Sequence, residues 1–202
     1  MFDKLKEGLR ETLTGSTPEN DLRARLHADH AEVSRLIDEL LASGAYEVSM
    51  REDLRDQIVV GLTAHAHAEE EVVYDFLKVQ PQTRTRTEHA IREHAEIEHL
   101  VTELASYDCS DPALTDLVTE LKRVVTHHVH DEENELLPNA ERDLGAPVLA
   151  RLIPAFNARK MVLMARSEAV QRRRGGLDID ADLAPDGGFR SIGGLEETNS
   201  QF

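Results

Sequence analysis

Four successive stretches of this chain place an apolar residue every three or four positions, and in each a histidine breaks the apolar stripe. That spacing is the mark of helices that bury one face. The stripes read Leu22, Leu26, His30, Val33, Ile37, Leu40; then Leu54, Ile58, Leu62, His65, Glu69, Val72, Phe76; then Ile91, His94, Ile97, Val101, Leu104; and last Leu114, Leu117, Leu121, Val125, His128, Glu132, Leu136. Strand-like alternation is scarce and aromatics make up only 4% of the chain. The expected fold class is therefore all-α.

Punctuation sets the expected boundaries. The first helix should open after Ser16, Thr17 and Pro18 and run to the Ser43-Gly44 break, and the second should open on a capping box of Ser49 and Glu52 and end near Val79, before Pro81. The third is expected from Thr83 to Tyr107. The fourth should open with Asp111 as cap and Pro112 in the first turn, and Pro138 should stop it. Short connections between long helices make neighbours antiparallel, so the simplest architecture is an up-down-up-down four-helix bundle over residues 17–145. An extra C-terminal helix over 146–173 follows Pro147, with Pro154 kinking or delaying it, and should pack on the bundle or form a homodimer through this helix. Residues 1–16 read as a short amphipathic segment, and 174–202 as a flexible acidic, Gly-rich tail that cannot bury enough surface to order itself.

The two halves repeat. HADHAEVSRLIDEL from His27 aligns with AIREHAEIEHLVTEL from Ala90, setting His30 over His94, and HAHAEEEVVYD from His65 aligns with HVHDEENELLP from His128, setting His65 over His128 and Glu69 over Glu132. Each hairpin thus supplies one lone His and one HxxxE pair, whose members share a helical face. At about 1.5 Å per residue, His65 stands roughly 20 Å from its helix's end and His94 roughly 17 Å from its helix's start. The ligand-bearing turns therefore fall in one layer. Buried carboxylates without compensation would each cost several kcal/mol; a cation among them removes that cost. His67 with Glu71 has the same spacing, but its counterpart is His130 with Asn134, and both His67 and His130 point off the stripe. His89, His99 and His127 are expected in solvent, His27 lies nearer the stripe, and Glu70 and Glu133 are expected to serve solvation or, as the lesser alternative, to hydrogen-bond a ligand imidazole.

Ten histidines against a single cysteine, Cys109, exclude a thiolate cage or an internal disulfide and point to an intracellular, cytoplasmic chain with nitrogen and oxygen metal donors. Four imidazoles and two carboxylates suit iron, manganese or zinc, and the symmetric halves suggest two ions with coordination positions left over for a small molecule. The formal net charge of −16 disfavours nucleic acid and anionic membranes as partners. No apolar run approaches the roughly 20 residues of a membrane span. No nucleophilic triad or Gly-rich phosphate loop is evident.

The lone His in LHADHAEVSRLIDELL and REHAEIEHLVTEL, with HxxxE in HAHAEEEVVYDFL and HHVHDEENELLP, resembles the hemerythrin-like, HHE cation-binding family over about residues 20 to 140. The resemblance implies two non-haem iron ions, oxo-bridged, with His30, His65, His94 and His128 as terminal ligands and Glu69 and Glu132 as bridges; zinc or manganese is less expected. Oxygen-carrying hemerythrins place a second His one turn after the lone one in the third helix, where this chain has Glu98. That makes Glu98, Tyr46 or His27 candidates to complete or support the site, and it shifts the implied activity from oxygen storage toward catalase-like peroxide decomposition or nitric oxide processing. The alternative is a non-enzymatic oxygen- or iron-binding or sensing module. The partners expected on either reading are O2, H2O2 or NO.

Overall fold

The computed structural model describes residues 21–181, with side chains to residue 170. The expected N-terminal segment 1–16, the Ser16–Pro18 helix start and the tail beyond 181 lie outside them. Among the described residues there is no strand. Helix α1 spans Leu22–Ala42, and its Asp21 cap accepts the Ala24 N–H at 3.2 Å. Helix α2 spans Val48–Glu69 and continues through a π-helical turn, Glu70–Tyr74, into α3, Asp75–Leu77. The expected capping box does not form. The helix begins one residue before Ser49, and Glu47 instead reaches back to accept the Gly44 N–H at 2.7 Å.

Helix α4 spans Arg84–Leu104 and α5 spans Leu114–Asp131, with Asp111 accepting the Ala113 N–H at 2.8 Å just before α5. A second π-helical turn, Glu132–Leu136, leads into α6, Leu137–Leu144. Pro138, expected to stop the fourth helix, instead sits in the first turn of α6. The π turn ends the α-helical bonding ladder just before the ring, so the proline occupies a first-turn position where its missing N–H costs little. Gly145, at φ 90, ends α6 in a conformation that L side chains rarely adopt. Helix α7, Ala146–Ala150, and helix α8, Ile153–Ala181, follow, so Pro154 delays the last helix by falling in its first turn. The helix passes the expected boundary at 173.

Helix α1 packs on α2 and α4 on α5, and the ring closes through α2 with α4 and α1 with α5. This is the up-down-up-down bundle, and it belongs to a compact unit that ends at Glu168. Two apolar clusters fill it. One joins Val33, Ile37, Ile58, Leu62, Ile97, Val101, Leu121 and Val125; the other joins Leu22, Leu26, Val73, Tyr74, Leu77, Leu137, Leu149 and Phe156. Each fully buried Leu or Phe among them is worth about 1.5–3 kcal/mol relative to exposure. The histidines lie between the two clusters.

The π turns alter which residues face inward. The uninterrupted stripe would bury Val72 and Phe76, yet both are only half-buried, and Val73, Tyr74 and Leu77 are fully buried in their place. Each π turn adds a residue to one helical turn and so rotates the downstream face by roughly one residue's angle.

Candidate metal centre

The bundle brings all six stripe residues together. His30, His65, Glu69, His94, His128 and Glu132 are each at most 5% exposed, and ligand atoms of His30, Glu69, His128 and Glu132 lie within 4.8 Å of one another. Nε2 of His30 faces Nε2 of His65 at 3.1 Å, and Nε2 of His94 faces Nε2 of His128 at the same distance. Glu69 Oε2 stands 3.3 Å from His65 Nε2 and 3.7 Å from His94 Nε2, and Glu132 Oε2 stands 3.3 Å from His30 Nε2 and 3.9 Å from His128 Nε2. Each carboxylate therefore reaches a histidine from both hairpins.

Four further carboxylates fix the rings. Asp29 faces His65 Nδ1 at 3.3 Å, Glu93 faces His128 Nδ1 at 3.3 Å, Glu133 faces His30 Nδ1 at 2.8 Å and Glu70 faces His94 Nδ1 at 3.0 Å. An ionised carboxylate only accepts, so each Nδ1 carries the proton and each Nε2 turns its lone pair toward the layer. This is how proteins orient metal-binding imidazoles. Glu70 and Glu133 thus take the lesser of their two expected roles, as ring-orienting groups. Glu133→Gln should weaken metal binding by roughly 10–100-fold, as loss of such a partner does elsewhere; competition with a calibrated chelator measures it.

Asp29, Glu93 and Tyr74 escaped the sequence reading. The first two had a signal, since the repeat sets Asp29 over Glu93 immediately before each lone histidine. Tyr74 had none, because only the π turn swings it inward. Its hydroxyl donates to Glu132 Oε1 at 3.1 Å, and its ring lies 5.1 Å from that of His94. Burial, then the nearby Glu132 and Glu69 carboxylates, push its phenol well above the usual range, which keeps it a donor.

The other candidates stand apart. Tyr46 is fully exposed between α1 and α2. Glu98 points outward, its side chain 63% exposed and paired with His67 at 3.5 Å, and His27, also largely exposed, meets Glu133 rather than the layer. In the competing register Glu71 is taken by Arg159 at 2.6 Å, and His130 meets Asn134. Cys109 is buried, with Arg51 donating to its carbonyl oxygen at 2.8 Å.

Charge inside the layer is unbalanced. Both oxygens of Glu69 and Oε2 of Glu132 are buried without a hydrogen-bond donor. Burial pushes the Glu69 carboxyl up to about 7 and that of Glu132 up to about 8, the latter aided by Glu69 beside it. Burial also lowers His30, and it drives His94 well below the ordinary imidazole value, with His128 adding to it. Lowered imidazoles at His30 and His94 beside carboxylate oxygens that lack a donor are what a cation needs, and the residues present fit one.

The last helix reaches this region. Phe156 is fully buried with its ring 5.9 Å from that of His65, and Lys160 Nζ stands 2.7 Å from Asp29 Oδ2, while Arg25 holds Asp29 Oδ1 at 2.6 Å. Burial works to raise Asp29, but Lys160, His65 and Arg25 together hold its carboxyl well below the usual range. A cavity of about 90 Å³, several times what one water requires, lies between α2 and α4 and is lined by His67, Glu70, His94 and Glu98.

An antiparallel bundle with two histidines from each hairpin, and two buried glutamates between them whose Oε2 atoms lack a donor, is a metal-binding module. The chain belongs to the hemerythrin HHE cation-binding domain family, which residues 21–140 match. The chain is also 29% identical over 146 residues to a protein of Nostoc sp. named as a DNA nickase, a match covering 70% of this chain and 39% of that protein. No solved structure matches it. No helix among the described residues is long and apolar enough to cross a membrane.

Proposed function

We propose that the chain binds two non-haem iron ions and turns over a small oxidant or radical, hydrogen peroxide or nitric oxide, at that centre. His30, His65, His94 and His128 would be the terminal ligands, and Glu69 and Glu132 the carboxylates shared between the halves. The donorless Oε2 atoms of those two glutamates carry this reading, since each lies between histidines of different hairpins. When bound, iron supplies the redox chemistry and a position for the small molecule.

The chain's own groups do the rest. Val33, Leu62, Ile97 and Val125 wall the space among the four imidazoles and exclude bulk water. Tyr74 holds a proton on its hydroxyl against Glu132, fixing which oxygen of that carboxylate is free to bind. The cavity beside His94 gives a small ligand an approach on the side where Glu98 has turned to solvent. It has ample room for a diatomic or peroxide.

The test is an iron-loaded sample given peroxide or, anaerobically, nitric oxide. Oxygen evolution or catalytic consumption of nitric oxide is the expected result, and neither above the free-iron background would overturn the reading. A spectrum that oxygen alters and vacuum restores, without turnover, would favour a binding or sensing module. Nicking is not proposed, because binding to DNA rests on phosphate neutralisation and a net charge of −16 opposes it. Supercoiled plasmid should stay closed in the presence of the iron-loaded chain.

A further inference from the structure

The two halves of the layer treat their orienting carboxylates differently. Asp29 is neutralised from behind by Arg25 and Lys160. Its counterpart Glu93 meets no Lys or Arg among the described residues, only histidines. The repeat sets His89 where Arg25 stands, and sets His127 and Asp131 where the first half has Ala64 and Ala68. These residues gather on the outer surface of α4 and α5: Glu93 Oε1 lies 3.4 Å from His89 Nε2 and 3.6 Å from His127 Nε2, while Asp131 lies 3.7 Å from His89 Nε2 through Oδ2 and 3.7 Å from His127 Nδ1 through Oδ1. All four ligand atoms fall within 4.8 Å of one another.

Glu93 Oε1 is buried and without a hydrogen-bond donor, and its side chain is only 9% exposed, aimed between the two rings. A tetrahedral ion with bonds of about 2.0–2.2 Å separates its ligands by roughly 3.3–3.6 Å. His127 can offer only one of its two nitrogens, and with one atom taken per residue the four donors lie within 4.8 Å of one another, so the exposed rings must turn inward by about 1 Å to close on an ion. The two i, i+4 pairs on neighbouring helices form a scaffold that needs little rearrangement. Two imidazoles and two carboxylates suit a borderline divalent ion such as zinc.

We propose that His89, Glu93, His127 and Asp131 form a second, surface site for one divalent cation, with zinc as the favoured occupant. The site does not depend on the iron reading, because none of its four residues belongs to the buried six. Glu93 joins the two: Oε1 faces the surface ion while Oε2 orients His128. His89, Glu93 and Asp131 also line a cavity of about 330 Å³ that extends to Glu132, so an ion here would sit on the rim of a route to the buried layer.

Metal counting on the untagged full chain tests this. Iron-loaded protein is equilibrated with zinc, freed of excess, and its zinc and iron are counted beside a His89→Ala/His127→Ala double variant. Wild type should hold one more zinc per chain than the variant, with iron equal in both; both rings are exposed, so the variant should fold, as circular dichroism will show. An Asp131→Asn variant, which keeps both rings, should bind zinc at least tenfold more weakly. Equal zinc in wild type and double variant, or no zinc beyond the buried layer in wild type, would overturn the proposal.

Discussion

Freed of metal by chelation, the chain should lose stability as the pH rises from 6.5 to 8.5, by on the order of 2 kcal/mol. The sign follows from Glu69 and Glu132. Burial raises both in the folded chain, to about 7 and about 8, above an ordinary value of 4.5, so the folded state holds protons that the unfolded state has already released. Stability from such groups is complete below the unfolded value and declines as pH climbs through the folded ones. The lowered imidazoles of His30 and His94 act in the other direction, but their contribution is lost only as pH falls below about 6.5. Above neutrality the two glutamates drive the fall, and Lys160, whose ammonium burial lowers below its ordinary value, works against it. Metal reverses it, because a cation replaces the protons. Urea unfolding at several pH values, with and without chelator, checks this: a flat metal-free profile would mean that the glutamates ionise at their ordinary value and that the layer is wet.

Glu132→Gln should abolish stable metal loading and, unlike most core substitutions, leave the metal-free protein folded and more resistant to alkaline pH. Glutamine keeps the shape and an acceptor for the Tyr74 hydroxyl, but it brings no charge to share between His30 and His128. It also removes the carboxyl that burial most disfavours in ionised form. A structural role alone would predict the opposite, since cutting into a fully buried cluster ordinarily costs about 1–3 kcal/mol. Metal analysis paired with melting at pH 6.5 and 8.5 separates the two. Retention of two ions per chain by the variant would remove Glu132 from the ligand set.

The bundle and its six inward polar residues were legible because helical spacing is a local property and the hairpin repeat shows each exception twice. His30 and His94 could be aligned by eye, as could His65 with His128. Tyr74 was not legible, since the stripe through Glu69 projects to Val72 and Phe76 in an unbroken α-helix. A π turn is one residue's departure from that rule. Pro138 misled for a related reason: a ring that ends an ordinary helix becomes a sound opening residue once the preceding turn has been widened. The orienting acids belong between these cases. Glu70 and Glu133, one step off the stripe, suited solvation better than an imidazole partner, because the ring that each meets comes from a helix far away in sequence.

The reach of the last helix bears on what counts as the smallest working piece. The family match ends at residue 140, yet Phe156 shields His65 and Lys160 balances Asp29. A fragment trimmed to the match would keep all six inward-facing ligand candidates while baring an imidazole to water and leaving an acid beside it with half its counter-charge. Transplanting this centre into another scaffold would mean carrying the chain at least through Met164, as an ornament of the bundle that has become one of its walls.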